Sequence, residues 1–264
     1  MDDQWQNFLR NLGEWHGSFT GINRAGELQE STASILTLEQ GDEERLVHFR
    51  LRRYGPEGSS GEPIRDNRED YRSLGRQVVF FSNGTFCKGT LQVAPGTVFG
   101  GEFGFVDGNR RHRLVQLHTP EGLFDGLVLI REFRAGSTAA EQPPLTAEQL
   151  LGSWQGEAET ITADWPVADR CAASLAVEAD GRGSLRLTRQ YGSTHEQLSS
   201  GDGSQLMLLA DAGYHRTPLQ VSHRQAFSVE AGWIPEPGRL QCLIRRFDGT
   251  GAWQASTLLR LTAS

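Results

Sequence analysis

Short runs of apolar residues recur along the whole chain and predict β-strands rather than helices. The runs are rich in β-branched and aromatic residues, and turn dipeptides such as Asn83-Gly84 and Asp107-Gly108 separate them. Such dipeptides supply the positive φ angles that tight hairpins require. The clearest predicted strands lie at residues 46–49, 78–81, 114–117, 127–130, 185–187, 206–209, 240–244 and 256–259.

Helical patterns are confined to two short stretches of the chain. Residues 3–6 form a capping-box-like start before Phe8 and Leu9, and Thr146 with Gln149 does the same before Leu150. Each predicted helix directly precedes a Gly-x-Trp sequence. We therefore expect each helix to cover one end of the sheet that follows it.

The two halves of the chain repeat each other, which indicates the duplication of one ancestral unit. Residues 12–17 (Leu-Gly-Glu-Trp-His-Gly) recur at 151–156 as Leu-Gly-Ser-Trp-Gln-Gly. Three further matches follow in the same order, namely 52–55 with 189–192, 99–105 with 227–233, and 129–131 with 258–260. The spacing between matching residues shrinks along the chain, so short deletions in loops account for the differences.

The number of strands favours two closed sheets. We count about eight strands in each half, and an antiparallel sheet of that size avoids exposed edges most simply by closing into a barrel. The predicted fold is all-β, with two tandem eight-stranded antiparallel barrels that each follow a short N-terminal helix. The predicted domains are 1–136 and 146–264, joined by a proline-containing linker at 137–145. A barrel of this size encloses one small ligand.

Each half begins with Gly-x-Trp and ends with a strand that carries an arginine. This combination resembles the signature of the calycin superfamily, the lipocalin-like barrels. In that superfamily the arginine stacks on the indole at the closed end of the barrel. The resemblance implies two structural pairs, Trp15 with Arg131 and Trp154 with Arg260. A guanidinium over an aromatic ring contributes about 1–2 kcal/mol when it is shielded from water.

The whole chain also resembles a cyanobacterial family of two-domain calycins with no established activity. The matching stretches are 5–9, 15–19, 102–105, 113–117 and 232–239. A more distant similarity links the chain to the S/U-type phycobiliprotein lyases, single calycin barrels that bind a linear tetrapyrrole (a bilin) and pass it to a cysteine of an antenna protein.

The lyase motif runs Glu-Arg-x-Trp-Phe, a turn, and Asn-Leu-Arg-x-Arg. In the first half Glu102 and Phe105 occupy the Glu and Trp positions. Asn109, Arg111 and Arg113 fall on Asn-Leu-Arg-x-Arg if the turn is one residue shorter. In the second half Glu230, Trp233 and Arg239 match, but Gln241 replaces the last arginine. The resemblance implies that these matching residues bind a ligand, and the departure makes the second half a poorer candidate for the lyase chemistry.

The chemistry of Glu102, Arg111 and Arg113 suits an amphipathic anion. Arginine binds carboxylates through bidentate, charge-assisted hydrogen bonds. Arg111 and Arg113 are two residues apart on a strand and share one face, and Glu102 lies on the neighbouring strand of the predicted hairpin. If that face is interior, the three residues form a polar patch in an apolar cavity. The alternative is a cross-strand ion pair on the outer face, which would be structural.

Charge and hydropathy exclude several classes of partner. The formal net charge is −7, whereas duplex-binding proteins normally present a basic surface. We therefore expect no nucleic-acid partner. The first residues lack the basic and apolar regions of a secretory signal, and no apolar run approaches the roughly 18 residues that span a bilayer.

Cysteine and histidine usage predicts neither disulfides nor a metal site. Cys87, Cys171 and Cys242 are widely spaced and form no Cys-x-x-Cys pair. We interpret them as small buried residues of strands in a reducing compartment, the cytoplasm. None of the seven histidines has the spacing of a metal-binding motif, and no Gly-x-Ser-x-Gly motif of a serine hydrolase is present.

Three functions remain open at this stage. The first is a binding protein that holds a bilin or other tetrapyrrole, a carotenoid or a fatty-acid-like molecule in a barrel cavity. The second is an enzyme, either a chromophore lyase whose partner is a phycobiliprotein or an isomerase. The third is a non-catalytic scaffold or assembly factor. We favour the first, in which the only bound group is the small apolar or amphipathic ligand itself.

Overall fold

The structure is a computed structural model that describes residues 4–180, 184–201 and 203–264, with all of their side chains except those of residues 165 and 166. The fold is all-β and consists of two antiparallel sheets of nine strands each. Each sheet curves into a barrel or half-barrel. The predicted pair of tandem barrels is thus confirmed.

The N-terminal sheet has the strand order β4-β3-β2-β1-β9-β8-β7-β6-β5, so that only the β1–β9 pair joins strands distant in the chain. Its strands are β1 Gly13–Asn23, β2 Leu28–Gln40, β3 Val47–Tyr54, β4 Pro63–Tyr71, β5 Val78–Phe80, β6 Phe86–Gly89, β7 Phe99–Asp107, β8 Arg110–His118 and β9 Phe124–Arg134. A short 3-10 helix at Gly58–Ser60 separates β3 from β4.

The C-terminal sheet repeats this order as β13-β12-β11-β10-β18-β17-β16-β15-β14. Its strands are β10 Gly152–Thr162, β11 Trp165–Ala179, β12 Leu185–Tyr191, β13 Thr194–Ser199, β14 Ser204–Leu208, β15 Gly213–Pro218, β16 Phe227–Glu236, β17 Arg239–Phe247 and β18 Trp253–Ala263. The identical strand order supports the duplication inferred from the sequence.

Each sheet has nine strands where the sequence predicted about eight. The edge strands β4 and β13 lack an alternating apolar pattern, since β4 reads Pro-Ile-Arg-Asp-Asn-Arg-Glu-Asp-Tyr and β13 reads Thr-His-Glu-Gln-Leu-Ser. β4 carries charges on both faces, and such charges on an edge strand discourage pairing with another chain. The same charges hide the strand from a search for apolar alternation, which explains the lower count.

Helix α1 spans Gln4–Leu9 and precedes β1. Its Trp5 and Phe8 are buried in the same apolar cluster as Trp15. The Gln4 side chain both donates to and accepts from the backbone of Phe80, at 2.8 Å each. The helix therefore covers one end of the N-terminal core, as expected, while residue 3 of the predicted capping box lies outside the described residues.

Helix α2 spans Ala147–Leu150 and precedes β10. The backbone N–H of Thr146 donates to Oε1 of Gln149 at 2.9 Å, which confirms the predicted capping box. Leu150 is buried in the apolar cluster that contains Trp154. The two halves thus share a short helix before the first strand as well as the sheet topology.

The strand register shows one departure from the sequence repeat. The pairing beside Trp15 and beside Trp154 is equivalent through the second strand of each sheet. In the third strand Leu51 and Arg189 occupy equivalent positions, whereas the sequence match aligned Arg189 with Arg52. A shift of one residue moves a side chain to the opposite face of the sheet.

Gly17 and Gly156 stand two residues after the tryptophan of each repeat, where the first and last strands approach closely. A Cβ atom built on Gly17 would lie 2.0 Å from the carbonyl oxygen of Arg131, and one built on Gly156 would lie 2.0 Å from that of Arg260. Only glycine fits such a contact. The repeated Trp-x-Gly sequence is thus a requirement of backbone packing.

The chain folds into two compact units. The first comprises Met1–Gly89, Gly101–Gln116 and Asp125–Glu141, and the second comprises Thr90–Gly100, Leu117–Phe124 and Gln142–Ser264. The domain limits drawn from the sequence, 1–136 and 146–264, stay a prediction. Within the described part of the chain, no helix has the length and apolar character needed to cross a bilayer.

Candidate functional site

The first unit contains a cavity of about 280 Å³. Its lining is mainly apolar and aromatic, with Phe8, Leu36, Leu38, Phe49, Leu74, Val78, Phe80 and Phe86 among the contributors. The predicted trio of Glu102, Arg111 and Arg113 also lines it, together with Lys88. The structure therefore brings the three residues together inside the barrel, which disfavours the alternative of an ion pair on the outer face.

Five side chains form what we call the charged cluster: Lys88, Glu102, Arg111, Arg113 and Glu132. Arg113 bridges both carboxylates, with Nη1 2.9 Å from Glu102 Oε1 and Nε 3.1 Å from Glu132 Oε2. Arg111 Nε lies 3.4 Å from Glu132 Oε2, and Lys88 Nζ lies 3.0 Å from Glu102 Oε2. The five groups come from strands β6 to β9, and Glu69 adds a further carboxylate to the cavity lining.

Burial in the cavity wall disfavours the charged form of Arg111. Its side chain is 2% exposed, and this burial, only partly offset by Glu132, lowers the pKa of the guanidinium to about 10. Burial acts the same way on Arg113, but Glu132 and Glu102 outweigh it and hold the pKa of Arg113 above its ordinary value. The charged cluster thus stabilises the charge of Arg113 better than that of Arg111.

Arg111 has unused hydrogen-bonding capacity. Within the part of the chain that the structure describes, no atom accepts a hydrogen bond from the buried Nη1 of Arg111. Buried polar groups are almost always paired, because an unpaired one costs roughly 1–3 kcal/mol. An anionic group in the cavity would satisfy this free donor.

Burial raises the pKa of Glu102, but the positive charges of Arg113 and Lys88 more than offset this effect and hold the pKa below its ordinary value. The carboxylate is therefore ionised at neutral pH. It serves as the counter-ion of two cations and is not poised to donate a proton. This state argues for binding rather than acid catalysis at Glu102.

The predicted stack of Trp15 on Arg131 is wrong, because the neighbouring inward-facing arginine takes that place. Trp15 pairs with Arg134 across β1 and β9, and the Arg134 guanidinium lies 4.3 Å from the centre of the indole ring. Arg111 approaches the same ring at 5.0 Å. Arg131 lies three residues earlier, on the opposite face, where it donates to Ser18 and Glu141.

The predicted pair of Trp154 and Arg260 is also wrong. Trp154 pairs with Ala263, whereas Arg260 pairs with Glu157 and donates to its carboxylate at 3.5 Å. Ala263 stands at the position that Arg134 holds in β9, since both are the last of eleven residues in their strands. The second barrel therefore places alanine where the first places the stacking arginine.

In the second unit Glu230 is fully satisfied by neighbouring side chains. Its Oε2 accepts from Arg189 Nη1 at 2.5 Å and its Oε1 accepts from Tyr214 at 2.6 Å. The Tyr214 hydroxyl also contacts Cys242 Sγ at 3.0 Å, and burial raises the pKa of both Tyr214 and Cys242. Arg189 further binds Glu196 at 2.6 Å, so this group has no surplus of positive charge.

The other predicted residues of the second half do not join Glu230. Arg239 stands at the start of β17, is 42% exposed and donates to Glu236 at 2.8 Å. Trp233 is buried, but alternation along β16 places it on the opposite face from Glu230, where its indole donates to the Asp211 carbonyl at 2.9 Å. A partly exposed arginine at the start of β17 and a tryptophan buried on the other face of β16 cannot form one site with Glu230.

Sequence reasoning missed Lys88, Glu132 and Arg134 in the first half and Arg189 in the second. Glu132 is an acid in a mostly apolar strand, two residues from Ile130, which is the usual sign of an inward-facing charge. Lys88 had a plainer signal, because it is the single lysine of the chain. The sequence shows that both positions are polar, but it does not show their partners, which lie on other strands.

Metal and thiol chemistry find little support at these sites. In the described ranges, no group of three or more His, Cys, Asp or Glu side chains is arranged to hold a metal ion. Cys87 and Cys242 are buried in strands and Cys171 is half-buried, and all three are free thiols. The prediction of buried strand residues is confirmed for Cys87 and Cys242, whereas Cys171 lies in a strand but is only half-buried.

Comparison with known proteins places the chain in a family. Residues 1–137 match the family model described as "Domain of unknown function (DUF3598), N-terminal". A crystal structure of a DUF3598-family protein of unknown function from Nostoc punctiforme PCC 73102 is 36% identical, with a TM-score of 0.91 and a match over 100% of both chains. The chain belongs to the DUF3598 family.

Other matches of this DUF3598 protein are partial or distant. Residues 141–262 match a model described as "Biogenesis factor required for ATP synthase 1, C-terminal domain". Kievitone hydratase from Nectria haematococca is 9% identical (TM-score 0.24), with 99% of this chain and 92% of that one covered. The S-type phycobiliprotein lyase CpeS from Guillardia theta is 8% identical (TM-score 0.19), with 98% and 91% covered. Such low scores support no argument, and curated protein sequences gave no match.

Proposed function

We propose that the N-terminal barrel is a binding protein for a small amphipathic molecule that carries a carboxylate. The observation that supports this proposal is the buried Arg111, which lines the cavity with a free donor. A carboxylate on the guanidinium would form charge-assisted hydrogen bonds, which are about twice as strong as neutral ones. The apolar walls would hold the rest of the ligand.

The size of the cavity narrows the choice of ligand. Ligand pockets usually measure about 300–1,000 Å³, so a cavity of about 280 Å³ lies at the lower end. A fatty-acid-like molecule of moderate length fits this volume better than a tetrapyrrole or a carotenoid, which would extend out of the barrel. We therefore favour the fatty-acid-like ligand among the candidates drawn from the sequence.

Decanoic acid tests this proposal in a calorimetric titration. We expect binding to the native protein and about a tenfold or greater weakening for Arg111→Met, because a hydrogen bond to a charged group contributes roughly 1.5–3 kcal/mol. Methyl decanoate, which has no charge, should bind as weakly to the native protein as decanoic acid binds to the variant. Arg260→Met is the matched control, since Arg260 lies on the outer face of the second barrel. Equal binding by Arg111→Met and the native protein would contradict the proposal.

The calycin relationship, a cytoplasmic location and a phycobiliprotein partner stay predictions that accompany this proposal. Bilin transfer has a simple test with the same site. An antenna apoprotein incubated with bilin and the native protein should gain a covalent chromophore, and Glu102→Gln should lose this activity if the protein is a lyase. Ionised Glu102, held by two cations, favours binding without transfer.

The second barrel suggests an additional role as an assembly factor. Its residues 141–262 match the C-terminal model of a biogenesis factor required for ATP synthase, and Arg189 and Tyr214 point into its core and satisfy Glu230. We expect deletion of the gene from its host to lower the amount of assembled ATP synthase on native gels. If the full chain carrying Arg111→Met restores the amount of assembled ATP synthase, the assembly role does not depend on ligand binding in the cavity. An unchanged amount of the complex would refute the role.

A further inference from the structure

Lysine is almost absent from this chain. The 26 basic residues comprise 25 arginines and a single lysine, Lys88. Arginine thus serves at every other position where the chain needs a positive charge, including the two buried positions of the charged cluster. A lysine retained at one position suggests that this position uses a property that arginine lacks.

Lys88 lies where a ligand would meet it. It belongs to β6, lines the cavity of the first unit, and has a side chain that is 49% exposed. Only three of the 26 basic residues line this cavity, and the single lysine is one of them. Its Nζ lies 3.0 Å from Oε2 of Glu102, which is 8% exposed.

The second barrel provides an internal comparison. Lys88 pairs with Glu102 across β6 and β7, and Arg216 pairs with Glu230 across β15 and β16. The duplicated unit therefore has arginine at the equivalent backbone position, where it donates to Ser204 at 3.0 Å while Arg189 supplies the cation at Glu230. The difference between the two residues is chemical, because lysine loses a proton readily and acts as a nucleophile, whereas arginine stays protonated.

We propose that Lys88 forms a Schiff base with an aldehyde-bearing amphipathic ligand in this cavity, a step that rests on the cavity being the binding site proposed above. The neutral amine adds to the carbonyl carbon to give a carbinolamine, which loses water. In net terms the ammonium and the aldehyde give a protonated imine and one molecule of water, with no oxidant or reductant. A new carbon–nitrogen double bond replaces the carbonyl double bond.

The surroundings of Lys88 suit both the ammonium ion before the reaction and the protonated imine after it. An ammonium ion and a protonated imine carry the same charge, so Glu102 keeps a cation beside it before and after the reaction. Half-exposure of the side chain leaves its amine accessible to an aldehyde in the cavity. The apolar wall formed by Phe80 and Phe86 would receive the chain of the aldehyde.

Reductive trapping with octanal and cyanoborohydride tests the proposal. The native chain has two kinds of primary amine, the Lys88 side chain and the N-terminal amine, so peptide mass spectrometry separates their labelling completely. We expect the ratio of Lys88 label to N-terminal label to be about tenfold higher in the folded protein than in concentrated urea, because a bound aldehyde is held beside the amine. An equal ratio in the two states would overturn the proposal.

Two controls separate this inference from the proposed function. Lys88→Arg keeps a cation beside Glu102 and should lose all label except that at the N-terminus. Excess decanoic acid should suppress labelling of Lys88 in the native protein and leave the N-terminal amine unaffected. Decanoic acid binding with an unchanged label ratio would refute only the Schiff base. Selective labelling of Lys88 without decanoic acid binding would refute only the carboxylate ligand.

Discussion

Glu132 is the carboxylate on which both buried arginines of the first barrel depend. It is 0% exposed, and its Oε2 lies 3.1 Å from Arg113 Nε and 3.4 Å from Arg111 Nε. Glu132→Leu would leave two buried guanidiniums with Glu102 as their nearest counter-charge. Removal of one partner from a buried ion pair costs about 3–5 kcal/mol. We expect a loss of folding stability in that range.

The second barrel indicates how this loss can be reversed. Leu261 is the ninth residue of β18 as Glu132 is of β9, and Leu240 is the second residue of β17 as Arg111 is of β8. The duplicated unit thus has leucine at both positions. Replacement of a buried ion pair by apolar residues is often neutral or stabilising. We expect the double variant Arg111→Leu/Glu132→Leu to lie within about 1 kcal/mol of the native protein.

Urea unfolding of the native protein, both single variants and the double variant gives the coupling energy between the two sites. Tryptophan fluorescence and circular dichroism should follow the same transition for the comparison to be valid. Glu157→Leu is the control, because Glu157 is 69% exposed. A Glu132→Leu variant as stable as this control, or a double variant as unstable as Glu132→Leu alone, would refute the reasoning.

Three further predictions follow from contacts described above. Gly17→Ala should lower the free energy of unfolding, measured by urea titration, by at least about 2 kcal/mol, because its Cβ would meet a carbonyl oxygen at 2.0 Å. Gly249→Ala is the control and should have little effect, because a Cβ at this position would lie in open space. Arg134→Met should cost about 1–2 kcal/mol through loss of the stack on the indole, and Arg131→Met should cost less; equal midpoints of thermal unfolding would contradict this assignment. Burial lowers the pKa of His215 to about 3. The unfolded chain therefore binds a proton at this histidine near pH 6.5, whereas the folded chain does not. The free energy of unfolding should fall by about 2 kcal/mol between pH 7 and pH 5. His215→Leu should lose this part of the pH dependence, and a variant with the native pH profile would contradict it.

The fold was accessible from the sequence because its signals are local. Apolar runs, turn dipeptides and the repeated Gly-x-Trp need no knowledge of distant contacts, and they predicted two tandem barrels with a helix before each. Edge strands escaped this reasoning, because β4 and β13 lack an apolar period. The exact pairing of Arg189 was not predicted either, because aligning residue types does not reveal a shift of one residue in the third strand.

The candidate site was accessible only in part. The alternation of side chains along a strand placed Arg111 and Arg113 on one face, and in the structure both of them line the cavity. The choice of Arg131 over Arg134 failed because strand register between β1 and β9 depends on contacts more than 100 residues apart in the chain. Glu132 was missed for the same reason, since the two arginines that it serves stand on another strand.

The scarcity of lysine has a practical consequence for anyone who studies this protein. Amine-reactive esters, which normally attach a protein to a sensor surface or carry a dye at many surface points, can react here only at the N-terminus or at Lys88 on the cavity wall. A sample prepared in that way would be partly blocked at the very site under study. Attachment through a terminal affinity tag leaves the cavity open and keeps the single side-chain amine available for chemistry.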